Sequence, residues 1–370
     1  MSGNERGAAS PVERFFNSLR YYGFGSSRVI PGLDGLRAIS IVFVLLGHLL
    51  GTANFPRAPM SLGELALFGV RVFFVVSGYL ITSILLRELD RTGTISLRRF
   101  YFRRTMRLFP ASYAYIGLIA ALAAMHAVTL NRWDLLMGVA YVMNYYDGRG
   151  WPLGHLWSLA VEEQFYLIWP FTLRALGPQR ASRFLIWLVA LCPIFRMLTP
   201  YVHSAFNFIA ISDTLAIGCL LALRRDQLHA NVYYSRLLRS RWFFLVPVLA
   251  IAAVYGPSTK LHWLFFDTLT NVCIALSVDW AMQNPATTVG RFLNAPAVAF
   301  VGVLSYSLYL WQQLFLDRYS TSPLCAFPVN VLLAVTMAMF SYLCIEAPFL
   351  RLRAAIERRP AVVATASSND

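Results

Sequence analysis

The sequence predicts an all-α fold: a polytopic transmembrane bundle of about ten helices, with one further re-entrant or short helix. Three observations lead there. Hydrophobic residues make up 58% of the chain against 14% charged, and the mean hydropathy is +0.56, whereas soluble domains are about one quarter charged. Apolar runs approaching the roughly 20 residues that cross a hydrocarbon core recur throughout. Arginine clusters separate these runs, and they account for most of the formal charge of +14. Basic loops of this kind mark the cytoplasmic side of a membrane protein, so the charge needs no nucleic acid partner. Anionic lipid headgroups or a phosphorylated ligand are the partners it suits.

Taken in order, residues 1–29 form a polar cytoplasmic arm with Arg6, Arg14, Arg20 and Arg28. No continuous apolar stretch precedes Arg28, so no cleavable signal is expected and the first span, about Leu36 to Thr52, serves as the anchor. A second span is expected over Leu62 to Leu86. The stretch from Arg87 to Pro110 holds seven arginines and belongs in the cytoplasm. A third span, Leu108 to Val128, leads to a short apolar piece, Leu135 to Tyr146. Further spans are expected over Leu159 to Leu176, Phe184 to Thr199, Phe206 to Leu223, Trp242 to Tyr255, Leu264 to Met282, Ala297 to Leu316 and Val329 to Ile345. If the short piece is re-entrant, the basic stretches Arg174 to Arg183, Arg224 to Arg241 and Arg351 to Arg359 all fall inside. That gives ten crossings with both termini cytoplasmic; non-helical backbone at membrane depth is tolerated only where it lines a cavity. Residues 30–353 form one membrane-embedded domain, and 354–370 a cytoplasmic, disordered tail.

Two ionisable groups stand in the first span, GLDGLRAISIVFVLLGHLLG. Arg37 and His48 are eleven residues apart, about three turns, which puts them within roughly 20° on one helix face and about 16 Å apart. Charge inside a membrane costs on the order of 2.5–3.5 kcal/mol on insertion scales, so the default reading is a site facing a polar cavity. The plainer readings are a snorkelling flank for Arg37 and a neutral buried histidine for His48. Arg71 lies inside the second span, followed by the small pair Ser77 and Gly78, which permits close helix approach. In HLWSLAVEEQFYLIWP, the residues His155, Ser158 and Glu162 share one face if the helix starts early. Trp157 and Glu163 sit beside them. Ser158 as a helix cap, with Glu162 favouring the first turn electrostatically, is the structural alternative.

A neutral histidine and a carboxylate in such a cavity suit deprotonation of a hydroxyl, worth about 10²- to 10⁴-fold in rate. Arg98, Arg99, Arg103, Arg104 and Arg107 suit phosphates through charge-assisted, often bidentate, hydrogen bonds, or they serve topology alone. The sequence contains no GxGxxG, P-loop, HExxH or GxSxG motif. Its five cysteines are scattered without metal spacing, so no metal site is expected.

The segments GLDGLRAISIVFVLLGH, GVRVFFVVSGYLIT, FRRTMRLFP, HLWSLAVEEQFYLIWP, VGVLSYSLYLWQQ and IEAPF, in this order, resemble the motif set of the acyltransferase-3 family of integral membrane O-acyltransferases, over roughly Val29 to Arg353. The resemblance implies about ten transmembrane helices and transfer of an acyl group, commonly acetyl from acetyl-CoA, to a carbohydrate hydroxyl. By position, Arg37 and His48 match the family's arginine and histidine pair, and Glu162 its acidic position. Arg103, Arg104 and Arg107 match its basic loop, Ser77 and Gly78 its SG pair, and Tyr306 its SYxxYL motif. Two departures stand out: Gln312 follows Trp311 where the family often has histidine, and the arginine frequent just before the equivalent of Asp213 is replaced by Ile211 and Ser212.

On this reading His48 is the general base, oriented or charge-balanced by Glu162, and Arg37 stabilises an oxyanion or a donor phosphate. Arg103, Arg104 and Arg107 hold the CoA phosphates, with Arg71, Ser77, His155, Trp157, Ser158, Glu163 and Tyr306 as substrate contacts. No permanently bound cofactor is expected; acyl-CoA is a co-substrate. The expected partners are a carbohydrate or glycolipid acceptor, the bilayer and glycan-biosynthesis proteins, in the bacterial inner membrane. The rival reading is a transporter or flippase of an anionic glycan-lipid, whose path the same charges would line.

Overall fold

The computed structural model describes residues 30–198, 206–256 and 262–358, and among these every regular element is helical. The chain runs through α1 (Leu33–Leu49), α2 (Glu64–Thr92), α3 (Leu97–Ala124) and the short α4 (Asp134–Val139). A single turn, Trp151–Gly154, then precedes the long α5 (Leu156–Leu198). Beyond it come α6 (Phe208–Ala230), α7 (Val232–Arg239), α8 (Leu245–Val254), α9 (Asp267–Gln283), α10 (Thr288–Asn294), α11 (Pro296–Phe315) and α12 (Val329–Ser341). A π turn, Tyr342–Glu346, joins α12 to α13 (Ala347–Arg358).

Among the described residues, six stretches are long and apolar enough to cross a membrane: Met60–Thr92, Leu97–Ala124, Trp151–Leu198, Leu264–Gln283, Pro296–Phe315 and Val329–Glu357. A seventh is added if Val232–Arg239 and Arg241–Val254, bent by 72°, form one span. The expected count of ten is therefore not reached by length and composition. The reasons are local. α1 has only 17 residues, and α6 carries Asp213, Arg224, Arg225 and Asp226. The expected spans over 159–176 and 184–199 form one 43-residue helix, broken at Gly177, whose backbone (φ 69°, ψ 165°) is one that only glycine adopts readily. The piece over 135–146 resolves into α4 and a three-residue turn, Met143–Tyr145.

Residues 354–358, expected in a disordered tail, continue α13, where Glu357 meets Arg103. The arm 1–29, the ends of the expected spans near 199–205, and residues 359–370 lie outside the described residues.

Burial is arranged for a membrane. Large apolar side chains such as Leu167, Phe171, Trp187 and Leu198 are exposed, while Thr82, Asp213, Asn271, Asp279 and Gln312 are buried. Such a large apolar exterior marks a surface covered by lipid. α1 packs on α2 and α11, α2 on α6, α6 on α5, and α11 on α12. α2 and α6 meet through glycines: a Cβ on Gly78 would strike the Leu215 carbonyl, and one on Gly218 the Val75 carbonyl. Backbone contact this close is what small residues permit between membrane helices.

Candidate active site

A cavity of about 80 Å³ opens between α1, α2, α3, α5 and α11. Helical spacing builds its walls. Ser158, Glu162 and Tyr166 succeed one another at intervals of four on α5, and Arg104 and Arg107 at three on α3, so each set shares a face. α1 adds Arg37, α2 adds Ser77, and α11 adds Ser305, Tyr306 and Tyr309. Three guanidinium groups and one carboxylate thus line a space walled otherwise by side chains such as Phe73, Leu80 and Ile81, where low dielectric strengthens attraction for an anion.

The polar groups are individually held. Ser77 donates to Glu162 Oε1 at 2.6 Å. The Arg104 guanidinium lies over the Tyr166 ring, 3.6 Å from its centroid, and its buried Nε has no hydrogen-bond partner among the described residues. Arg37 pairs with Asp34 at 4.0 Å and lies within electrostatic reach of Glu162 and Arg104. Tyr306 donates its hydroxyl to the Leu108 carbonyl at 2.7 Å. Behind the wall, Glu346 from the π turn accepts from Ser307 and faces Arg107 and Arg37.

His48 lies elsewhere. It shares the Arg37 face of α1 but sits about three turns on, roughly 16 Å along the axis, and does not line the cavity. Its Nδ1 meets Gln312 Oε1 at 2.9 Å, and its half-buried ring stands edge-on to Trp151 at 5.6 Å. Arg318 stands nearby, donating to the Gly47 carbonyl at 3.1 Å. The expected partner of His48, Glu162, is instead engaged by Ser77; a shared helix face sets direction but not depth.

At the cavity wall, Ser158 Oγ meets Tyr309 Oη at 2.6 Å, and Tyr309 donates to the His155 carbonyl at 2.8 Å. The buried His155 ring packs against Tyr115 and Tyr309, at 5.5 and 5.4 Å.

Of the other residues expected at a site, the structure brings only some to the cavity. Arg37, Ser77, Arg104, Arg107, Ser158, Glu162 and Tyr306 line it. Arg103 is exposed and pairs with Glu357 at 2.5 Å. Arg71 pairs with Asp267 at 2.5 Å and donates to Asn271. Trp157 packs edge-on against Phe206 and Phe74, and Glu163 stands off the cavity with a buried Oε1 lacking a hydrogen-bond partner among the described residues.

Sequence reasoning missed Tyr166, Tyr309 and Ser305. Tyr166 was signalled by the interval of four from Glu162, and Tyr309 by its place in the SYSLYL segment. It also missed Arg196, buried at 4% exposure, which donates to both Asp213 oxygens at 2.9 and 3.0 Å and to Thr268 at 2.6 Å. A guanidinium from the preceding helix thus reaches Asp213, beside which Ile211 and Ser212 offer none. Among the described residues, no group of three His, Cys, Asp or Glu side chains is placed to hold a metal ion.

A family model described as an acyltransferase domain matches residues 30–349. A Staphylococcus aureus (strain COL) protein named "Putative O-acetyltransferase" is 31% identical over 359 residues, covering 87% of this chain and 57% of its own. The "O-acetyltransferase OatA" of Staphylococcus aureus (strain NCTC 8325 / PS 47) is 30% identical over 367 residues, with the same coverage. The chain therefore spans 57% of the length of these relatives. No solved structure matches it.

Proposed function

The chain belongs to the acyltransferase-3 family, and from that premise we propose that it is a membrane O-acetyltransferase, moving acetyl from acetyl-CoA to a hydroxyl of a carbohydrate such as a surface polysaccharide or lipid-linked glycan. The observation that carries this reading is the placement of an arginine-lined cavity at one end of one face of α1 and of His48, bonded to Gln312, at the other.

On this reading the anionic end of acetyl-CoA lies at the Arg37, Arg104 and Arg107 end. The cavity's chemistry suits it: the buried Arg104 Nε, without a hydrogen-bond partner among the described residues, can donate to a phosphate oxygen. The pantetheine arm is comparable to about five extended residues, roughly 17 Å, close to the separation of Arg37 and His48. His48 removes the acceptor hydroxyl proton as the oxygen attacks the thioester carbonyl; the new ester C–O bond forms, the C–S bond breaks, and CoA leaves as its thiolate. Glu162, bonded to Ser77, balances the guanidinium charge in the absence of the donor. Ten crossings with both termini in the cytoplasm of a bacterial inner membrane, and glycan-biosynthesis proteins as neighbours, complete the proposal. In this arrangement α5 turns back at Gly177, where its helix is broken, so that Arg87 to Arg107 and Arg174 to Arg183 lie on one side.

The test is transfer of radiolabelled acetyl from acetyl-CoA in membranes containing the protein, with label released from the glycan by mild alkali. His48→Ala, inserted at the normal level, is expected to lose at least about 10²-fold in rate. Full activity of that variant eliminates the mechanism. A transporter or flippase would leave the glycan unlabelled.

A further inference from the structure

The hydrogen bonds around His48 have a direction, and one end of the chain sets it. The Trp151 carbonyl can only accept. Gln313 Nε2 donates to it at 2.9 Å, and the Trp151 indole donates back to the Gln313 carbonyl at 3.0 Å. With its amide nitrogen so engaged, Gln313 turns Oε1 toward Gln312, whose Nε2 donates at 3.1 Å. Gln312 Oε1 is then the atom left facing His48 Nδ1, at 2.9 Å.

An amide oxygen has no proton to give, so the proton of that last bond belongs to Nδ1. Amide orientations and histidine tautomers are usually ambiguous one at a time; here a fixed acceptor removes the ambiguity at each step. Gln312 and Gln313 are 0% and 3% exposed, which keeps water from competing. Reversing the chain would set two oxygens or two N–H groups against each other.

We propose that Gln312 and Gln313 are positioning residues that hold His48 in its Nδ1-protonated tautomer, leaving Nε2 as the one nitrogen able to accept the hydroxyl proton. This rests on the acetyl-transfer reading above. In the reaction Nε2 gains the proton that the acceptor oxygen loses, Nδ1 keeps its own, and the Nδ1–H bond to Gln312 persists in the resulting imidazolium. The same logic operates in catalytic triads, where a buried acceptor fixes the tautomer of the base. The charged and titratable groups near the ring are Arg318, through its bond to Gly47, and His155, within electrostatic reach.

The experiment is ¹⁵N NMR of the full chain in lipid bilayers with labelled histidine, the His48 signal being identified by its loss in His48→Ala. The wild type is expected to show a protonated Nδ1 and a bare Nε2. In Gln312→Leu the ring is expected to shift toward the Nε2-protonated form, with kcat falling about 10²-fold and KM for acetyl-CoA unchanged; in the triad analogy a wrong tautomer costs up to about 10⁴. Gln312→Glu keeps the acceptor. Its second oxygen meets Gln313 Oε1 in place of an N–H, so activity is expected to fall less than in Gln312→Leu while the tautomer is kept and the acid limb of its pH profile moves upward, since a carboxylate favours the charged ring. Gln313→Leu, which frees Gln312 to turn, is expected to follow Gln312→Leu. A wild-type ring protonated on Nε2, or tautomer and kcat unchanged in both leucine variants, overturns the proposal. Full activity of His48→Ala instead removes His48 as the base, even with the tautomer as described, and an unlabelled glycan with the wild type removes the acetyl-transfer reading beneath it.

Discussion

Arg196 and Asp213 show what an ion pair does at full burial. Asp213 is 0% exposed and receives Arg196 and Thr268, while Asp267 lies 3.9 Å from Arg196 Nε and pairs in turn with Arg71. Removing one partner leaves the other desolvated, a cost of about 3–5 kcal/mol, whereas replacing both by apolar groups is often neutral. Arg196→Ala is therefore expected to lower the midpoint of heat inactivation in detergent sharply, and Arg196→Met with Asp213→Leu to recover most of it. An equal loss in the double variant would show that the pair does more than satisfy itself. This pair was not legible in the sequence, because its members sit on different helices, seventeen residues apart. The grouping of Ser158 with Glu162 was legible, since spacing within one helix decides it. Depth was not: nothing local to α1 says that Arg37 lines the cavity and His48 does not.

At the scale of elements, the α2–α6 contact depends on Gly78 and Gly218, each facing a carbonyl of the opposite helix. Gly218→Leu forces the pair apart; overpacking costs about 1–3 kcal/mol even where neighbours can shift, and backbone cannot yield as a side chain can. Loss of a monodisperse peak on size exclusion, or failure to accumulate in the membrane, is the expected result; a monodisperse, active variant would contradict the packing. The SG pair announced this contact from sequence, because small residues among large ones have few other uses in a membrane helix. The span count was less readable. Hydropathy does not reveal that α5 is continuous through Pro178 to Leu198 apart from one residue, nor that α1 stops at 17 residues.

For the molecule as a whole, the all-helical fold and the lipid-facing exterior were legible in the low charge content together with the long apolar runs, because a membrane-embedded backbone must be satisfied internally and runs near 20 residues do so as helices. Thiol labelling measures the orientation proposed above. Cys192, Cys219, Cys273 and Cys325 are buried and Cys344 is exposed, so a Cys344→Ser background is quiet. In that background Asn54→Cys and Thr321→Cys are expected to react with an impermeant maleimide from outside the cell. Thr94→Cys and Gln179→Cys are expected to react only after permeabilisation. Reaction of Gln179→Cys from outside would contradict a cytoplasmic return at Gly177.

The π turn Tyr342–Glu346 carries one last implication. A wider turn inserts one extra residue into the helical count, and each residue is worth about 100° of rotation. α13, with Glu357 reaching Arg103, is thus phased to α12 by a single position, as a gear is phased by one tooth. Any substitution there that keeps the length preserves the timing, while deletion of one residue, however conservative in chemistry, would swing the whole terminal helix by more than a quarter of a revolution and turn its charges toward new neighbours.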